Sequence, residues 1–142
     1  MAQDQALHDL LASRMLSVLV TLKRDGRPQL SNVLHHYDRD AGVVRVSLTD
    51  GRAKTKNARR DPRVSLHVSS ADGWAYAVAE GTAELSEVAR DPQDAAVEEL
   101  VQLYRDLQGE HPDWDEYRAA MVAEGRLVLR LRVERVYGMA GG

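Results

Sequence analysis

From Met15 to Lys23 the chain carries LSVLVTL, an aliphatic and β-branched run without helical period, and this predicts a strand. Ahead of it, Leu7, Leu10 and Leu11 recur at helical spacing behind Asp4, an N-cap residue type, and predict a short helix ending near Arg14. Arg24-Asp25-Gly26-Arg27 supplies an Asp-Gly turn into a second strand over Pro28 to Tyr37. A further turn, Asp38 to Gly42, leads to Val43 to Thr49, where Val44, Val46 and Leu48 alternate with Arg45 and Ser47. Ala, Lys and Arg then favour a helix over Ala53 to Arg60, stopped by Asp61-Pro62.

Alternation resumes over Val64 to Ser70. After Ala71-Asp72-Gly73 it continues as a long strand, Trp74 to Leu85, in which Gly81 marks a bulge or bend. Between Asp91 and Gly125 the period is helical again, with Val97, Leu100, Val101, Tyr104 and Leu107, then Tyr117, Ala120 and Met121. Asp113 is placed to cap the second of these helices and Gly125 to end it. Leu127 to Tyr137 reads as the last strand. Six strands with helices between them predict a mainly β fold, a compact antiparallel β-barrel with flanking helices, and 142 residues without linker or repeat predict one domain over 1–142.

Composition narrows the chemistry. Cysteine is absent, which excludes disulfides, thiolate metal sites and cysteine nucleophiles. A formal net charge of −3 argues against a nucleic-acid-coating protein. The N-terminus has no basic start followed by an apolar core, and no apolar run is long enough to span a bilayer, so a cytoplasmic protein is expected. His35 and His36 are strand neighbours pointing to opposite faces, unable to share one ion, and no metal site is expected. Neither a P-loop, nor G-x-G-x-x-G, nor a G-x-S-x-G elbow occurs.

Against that acidic background, Arg52, Lys54, Lys56, Arg59, Arg60 and Arg63 crowd one short segment. The start of its helix favours an anion through free backbone N–H groups and the helix dipole. Arg52 can grip a phosphate as a fork, Lys54 adds a point charge, and Thr55 and Asn57 add polar donors. The alternative is a solvated basic face with Asn57 serving only the local backbone. On the second strand, Gln29, Ser31 and His35 share one face and Leu30, Asn32, Leu34 and His36 the other. Its amides suit the polar edge of a heterocycle or, alternatively, water. Trp74 and Tyr76 can wall a ring pocket or be core or interface aromatics.

The order DGRPQLSNV, then VSLTDGRAKTKNARRDPRVSLHV, DGWAYAVAEGTAEL and a closing RVYG resembles the pyridoxamine-phosphate-oxidase-like split β-barrel proteins over nearly the whole chain. More narrowly, it is similar to actinobacterial oxidoreductases that use the deazaflavin coenzyme F-420. The resemblance implies a homodimer with cofactor across the interface and Arg52, Lys54, Thr55 and Asn57 on its phosphate, with Lys56 nearby. It further implies Pro28, Ser31, Asn32, Val33 and Ser47 at the ring system, with Trp74 and Tyr76 arriving from the partner chain.

Six cations suit the acidic tail of F-420 better than FMN, which ends at its phosphate. The end ERVYGMAGG lacks the Arg-x-His pair of the pyridoxamine phosphate oxidases themselves, so that activity is not the one expected. The expected function is hydride transfer between F-420 and a small conjugated acceptor. The alternatives are an FMN enzyme and a non-catalytic flavin, deazaflavin or tetrapyrrole binder. Should a protein acid take part, Tyr37, Tyr76 and His36 are the candidates, and none is assigned.

Overall fold

The computed structural model describes residues 2–141, with side chains from Asp4 onward. Strand β1 (Leu16–Leu22) turns Ser17, Leu19 and Thr21 inward, and β2 (Pro28–Asp38) does the same with Val33, His35 and Tyr37. Strand β3 (Val43–Thr49) contributes Val44, Val46 and Leu48, and β4 (Arg63–Ser69) contributes Val64, Leu66 and Val68. Ala77 and Ala79 of β5 (Tyr76–Leu85) and Leu127, Leu129 and Leu131 of β6 (Arg126–Met139) complete the interior. Alternate side chains along each strand face inward, and antiparallel pairing in the order β1-β2-β3-β6-β5-β4 closes the barrel. The fold is mainly β, as the alternation predicts.

Helix α1 (Ala2–Ser13) seals one end, with Leu7 and Leu11 in the barrel core. It begins two residues before the expected Asp4, whose carboxylate sits in the first turn rather than at the cap. Helix α2 (Ala53–Arg60) covers the opposite end, where β1 and β3 finish and β2 and β4 begin. Helices α3 (Ala95–Gln108) and α4 (Trp114–Glu124) pack outside β3 and β6 over Val128, in a second apolar cluster with Val97, Leu100, Val101 and Met121. Asp94 and Asp113 cap them by accepting from the Val97 and Glu116 amides, and Gly125 ends α4 in the left-handed region that favours glycine. Half-buried Glu99 ties α3 to the sheet. It accepts from Arg130 Nε at 2.7 Å and Arg45 Nε at 3.1 Å. Burial would raise its carboxyl, but these two guanidinium groups hold it low.

Trp74 does not belong to the fifth strand. Its backbone N–H is bonded by Asp72, and the Ser70 hydroxyl accepts from the Ala75 amide, so the turn runs on to Ala75 and the strand starts at Tyr76. The bend at Gly81 is present: between Glu80 and Gly81 the register with β6 skips Glu134, which makes Glu134 the extra residue of a β-bulge.

His35 links α1 to the sheet. Its Nε2 donates to the Leu11 carbonyl at 2.9 Å, which leaves Nδ1 to accept from the Ser17 hydroxyl at 2.8 Å. Burial pushes this imidazole below its ordinary value of 6.5. The unfolded chain therefore takes up a proton that the folded one resists. The stabilising contribution is complete above about pH 6.5 and is lost as pH falls through the lowered folded value. Chemical denaturation followed across pH 7 to 5 should show this decline, and His35→Gln should flatten it. An equal pH slope in the variant would remove His35 as its source.

Candidate functional site

Strands β2 and β3 pair only from His35↔Val46 to Asp38↔Val43. Before His35, β2 keeps to β1, and beyond Val46, β3 keeps to β6, so the two strands part and open a split in the barrel wall. A cleft of about 530 Å³, within the size range of small-molecule sites, lies over this split. Asn32, Val33 and Leu34 form one edge and Ser47, Leu48 and Thr49 the other.

The direction of the backbone groups at these edges follows from alternation along each strand. The His35 N–H donates to the Met15 carbonyl on the β1 side, so the Asn32 and Leu34 main-chain groups point the other way, into the split. The Asp50 N–H donates to the Gly125 carbonyl on the β6 side, which turns the groups of Ser47 and Thr49 toward the same opening. The Thr49 carbonyl is taken, by the Thr55 hydroxyl at 2.7 Å. The floor is thus a row of main-chain donors and acceptors, suited to the polar edge of a flat ring.

One wall is basic. Arg52 occupies the N-cap of α2 without a side-chain capping bond, so the first-turn N–H groups lack the partner a Ser or Asp would give. Arg52 and Lys54 line the cleft together with Arg126 from the start of β6, and no Asp or Glu lines it. Burial, then Arg52, then Arg126 depress the Lys54 ammonium below its ordinary value. The opposite wall is apolar and aromatic, formed by Leu103, Tyr104 and Leu107 of α3 and Tyr117 and Met121 of α4. Tyr104 and Tyr117 meet edge-on at 5.1 Å. The Tyr117 hydroxyl donates to the Leu100 carbonyl at 3.0 Å and is pushed up to about 12 by burial, so it remains a proton-bearing structural group.

Of the residues expected at the site, the structure brings Asn32, Val33, Ser47, Arg52 and Lys54 to this one cleft. Thr55 and Asn57 face the barrel instead. Asn57 donates to Thr21 Oγ1 at 3.2 Å and Gln29 Oε1 at 3.1 Å and accepts from Arg60 at 2.8 Å, which commits both ends of its amide to holding α2 on the strands. Thr55, three residues before Ala58, shares the face that enters the core, and Asn57, adjacent to Ala58, is buried at the margin of that face. Pro28 and Lys56 are exposed, and Ser31 is half-buried; none of the three lines the cleft.

Trp74, 80% exposed, and Tyr76, stacked on His67 at 5.7 Å, lie at the α1 end of the barrel, away from α2 in the same chain. Tyr37 Oη lies 2.8 Å from His8 Nδ1, and His36 faces Asp106 at 3.8 Å; with Tyr76, these three possible proton donors are outside the cleft lining. Three of the six basic residues are already engaged, Arg59 with Asp50, Arg60 with the Leu22 carbonyl and Asn57, and Arg63 with Asp61. Arg52, Lys54 and Lys56 have no carboxylate within 4.0 Å among the described residues.

Arg126, Tyr104 and Tyr117 were not expected at the site. Only the pairing Thr49↔Arg126, which sets the cation beside the end of β3, connects Arg126 to it. Among the described residues no group of three His, Asp or Glu side chains is arranged to hold a metal ion, and no helix is long and apolar enough to cross a membrane.

Known proteins share this architecture. The chain is 30% identical over 137 residues to an F420H(2)-dependent biliverdin reductase of Mycobacterium tuberculosis (strain CDC 1551 / Oshkosh), covering 96% of this chain and 88% of the relative. A solved structure called F420 Reductase superposes with a TM-score of 0.68 at 23% identity, covering 92% of this chain and 94% of the other. A heme binding protein from Mycobacterium smegmatis matches with a TM-score of 0.67 at 21% identity over 96% of this chain and 53% of the other. The family described as pyridoxamine 5'-phosphate oxidase matches residues 3–140, and the chain belongs to it.

Proposed function

We propose that this chain is an oxidoreductase that holds a flavin-type cofactor in the split between β2 and β3, with F-420 as that cofactor and a small conjugated organic molecule as hydride acceptor. The observation that carries the reading is the cleft itself: backbone donors and acceptors along its floor, and Arg52 and Lys54 beside an uncapped helix start with no carboxylate lining the site. These features fit a flat heteroaromatic ring with a phosphate. The similarity to an F420H(2)-dependent reductase along nearly the full chain supports the choice of F-420.

The cofactor, when reduced, supplies the hydride, and the acceptor takes two electrons with a proton completing the reduction. The protein's share is positional. Arg52, Lys54 and the first-turn N–H groups of α2 hold the phosphate; Asn32, Leu34 and Ser47 main-chain groups fix the ring edge; Tyr104, Leu107 and Tyr117 exclude water from one side. No Asp or Glu lines the cleft to donate that proton, and in this reading solvent supplies it.

The working unit in this reading is a homodimer. Met15, Leu16, Leu30, Leu34, Tyr137 and Met139 are large apolar residues left exposed. Leu16 pairs with Leu34, and the outward row Val18–His67–Val78–Tyr137 continues this sheet face across β1, β4, β5 and β6, buried at Val78, with the exposed Leu16, Leu34 and Tyr137 at its margins. Leu34 also lines the cleft, which makes that face continuous with the site. Trp74 and Tyr76 would then reach a cleft only from the second copy. Sedimentation should give a dimer, and Leu16→Lys with Leu34→Lys should yield monomer; a monomeric parent chain would overturn the arrangement.

FMN is the second reading, favoured by the engagement of Arg59, Arg60 and Arg63 in internal pairs, which leaves fewer cations for a long acidic tail than the sequence suggests. Titration of cofactor-free protein with oxidised F-420 and, separately, FMN, followed by fluorescence polarisation, decides between them. Tight binding of F-420 alone supports the proposal, preference for FMN reassigns the cofactor, and binding of neither overturns the oxidoreductase reading.

A further inference from the structure

Resting on the cofactor reading above, we infer that Arg126 is a third anion-binding cation of the cleft, which closes with Arg52 and Lys54 on the phosphate of the bound cofactor. Arg126 opens β6 immediately after the Gly125 cap and pairs with Thr49, the last residue of β3. Cross-strand partners share a face, so its side chain lies on the same outer surface as Ser47 and Thr49, and all three line the cleft. The guanidinium is oriented by one contact, Nε to Glu124 Oε1 at 3.0 Å. Its two terminal amino groups have no hydrogen-bond partner among the described residues, and this leaves the fork that grips oxyanions free.

Three cations without a carboxylate along the lining repel one another. The Lys54 ammonium, held low by burial first and then by Arg52 and Arg126, registers that repulsion. An anionic ligand relieves it. The Glu124 pair is two residues apart and partly solvated, so it competes weakly with a phosphate for the same guanidinium. Arg126 lines the same cleft as Arg52 and Lys54 on the basic wall and Tyr104 and Tyr117 on the aromatic one. A phosphate held by these three cations would leave the rest of the cleft to the ring.

The test uses the full chain and Arg126→Gln, which keeps length and polarity without charge. Polarisation titrations are run with FMN, with riboflavin, with F-420 and with a deazaflavin that retains the phosphate but lacks the glutamate tail. Arg126→Gln is expected to weaken phosphate-bearing ligands about tenfold or more. Riboflavin binding should be unchanged, and the dependence of affinity on salt should be shallower than in the parent. Equal weakening of the tailed and tail-less deazaflavins locates Arg126 at the phosphate; a loss confined to the tailed form overturns this and moves Arg126 to the tail.

A second readout needs no cofactor. The pH profile of Lys54 acylation, read by mass spectrometry, should shift upward in Arg126→Gln as one neighbouring charge is removed. If the parent binds a phosphate-bearing cofactor, Arg52→Ala loses it and Arg126→Gln does not, the inference fails and the cofactor reading stands. If the parent binds no cofactor, that reading fails and the Lys54 profile alone decides whether Arg126 belongs to the cationic cluster.

Discussion

Replacing Arg52 and Lys54 together by alanine is expected to weaken cofactor binding by about 100-fold or more while leaving the fold intact. Neither side chain makes a carboxylate pair, and neither belongs to the buried core, so removing them costs the barrel little. Each charge-assisted contact to a phosphate is typically worth about 1.5–3 kcal/mol, and two of them sum to about 3 kcal/mol at the low end of that range. Arg52 is exposed and shares its field with water, so the low end is the appropriate one. Calorimetric or polarisation titration of the double variant, beside a thermal melt, measures both halves of the expectation. Unchanged affinity with a normal melt would place the phosphate elsewhere on the molecule. Asn57→Ala should behave in the opposite way. Its amide bonds to Thr21, Gln29 and Arg60 are lost inside the protein, so stability should fall before affinity does.

The largest stability effect is expected from Gly81→Ala. A Cβ at this position would stand 1.8 Å from the Arg132 carbonyl oxygen and 3.2 Å from the Glu134 amide nitrogen, both backbone atoms of the facing strand. Flexible side chains can yield to such a clash, but a hydrogen-bonded strand cannot move without breaking its ladder. The bulge that brings β6 this close depends on the missing side chain. Overpacking of this kind costs about 3 kcal/mol. In a chain of 142 residues that corresponds to a midpoint lower by about 10 °C. Differential scanning calorimetry checks it. An Ala variant melting within about 2 °C of the parent would show that β6 relaxes freely at Glu134.

Most of the fold was legible in the sequence because alternation is a local signal. Val44, Val46 and Leu48 alternate along β3 and Val64, Leu66 and Val68 along β4, β1 is an unbroken aliphatic run, and the Asp25-Gly26 turn sets the first hairpin. The boundary at Trp74 was not legible, because aromatic propensity favours a strand there while the Ser70 and Asp72 side chains hold the backbone in a turn. Where charge marks the chain, at Arg52 and Lys54, the expected residues coincide with the cleft lining. At Thr55 and Asn57 the expectation and the cleft lining part, because which face of α2 meets the barrel decides what those side chains touch. Tyr104 and Tyr117 were invisible because only the packing of α3 and α4 over β3 and β6 brings them to the cleft, and Arg126 because only its pairing with Thr49 sets it there.

The parting of β2 from β3 has a consequence for how this cleft can change over generations. Peptide groups of Asn32, Leu34 and Ser47 persist whatever side chains stand there, so a mutation can reshape the rim but cannot delete the floor. Drift would therefore accumulate in α3 and α4, whose Tyr104, Leu107 and Tyr117 set the height and polarity of the opening. On the proposed reading, ring recognition is the inherited trait, and the choice of what is presented to that ring is the freely varied one.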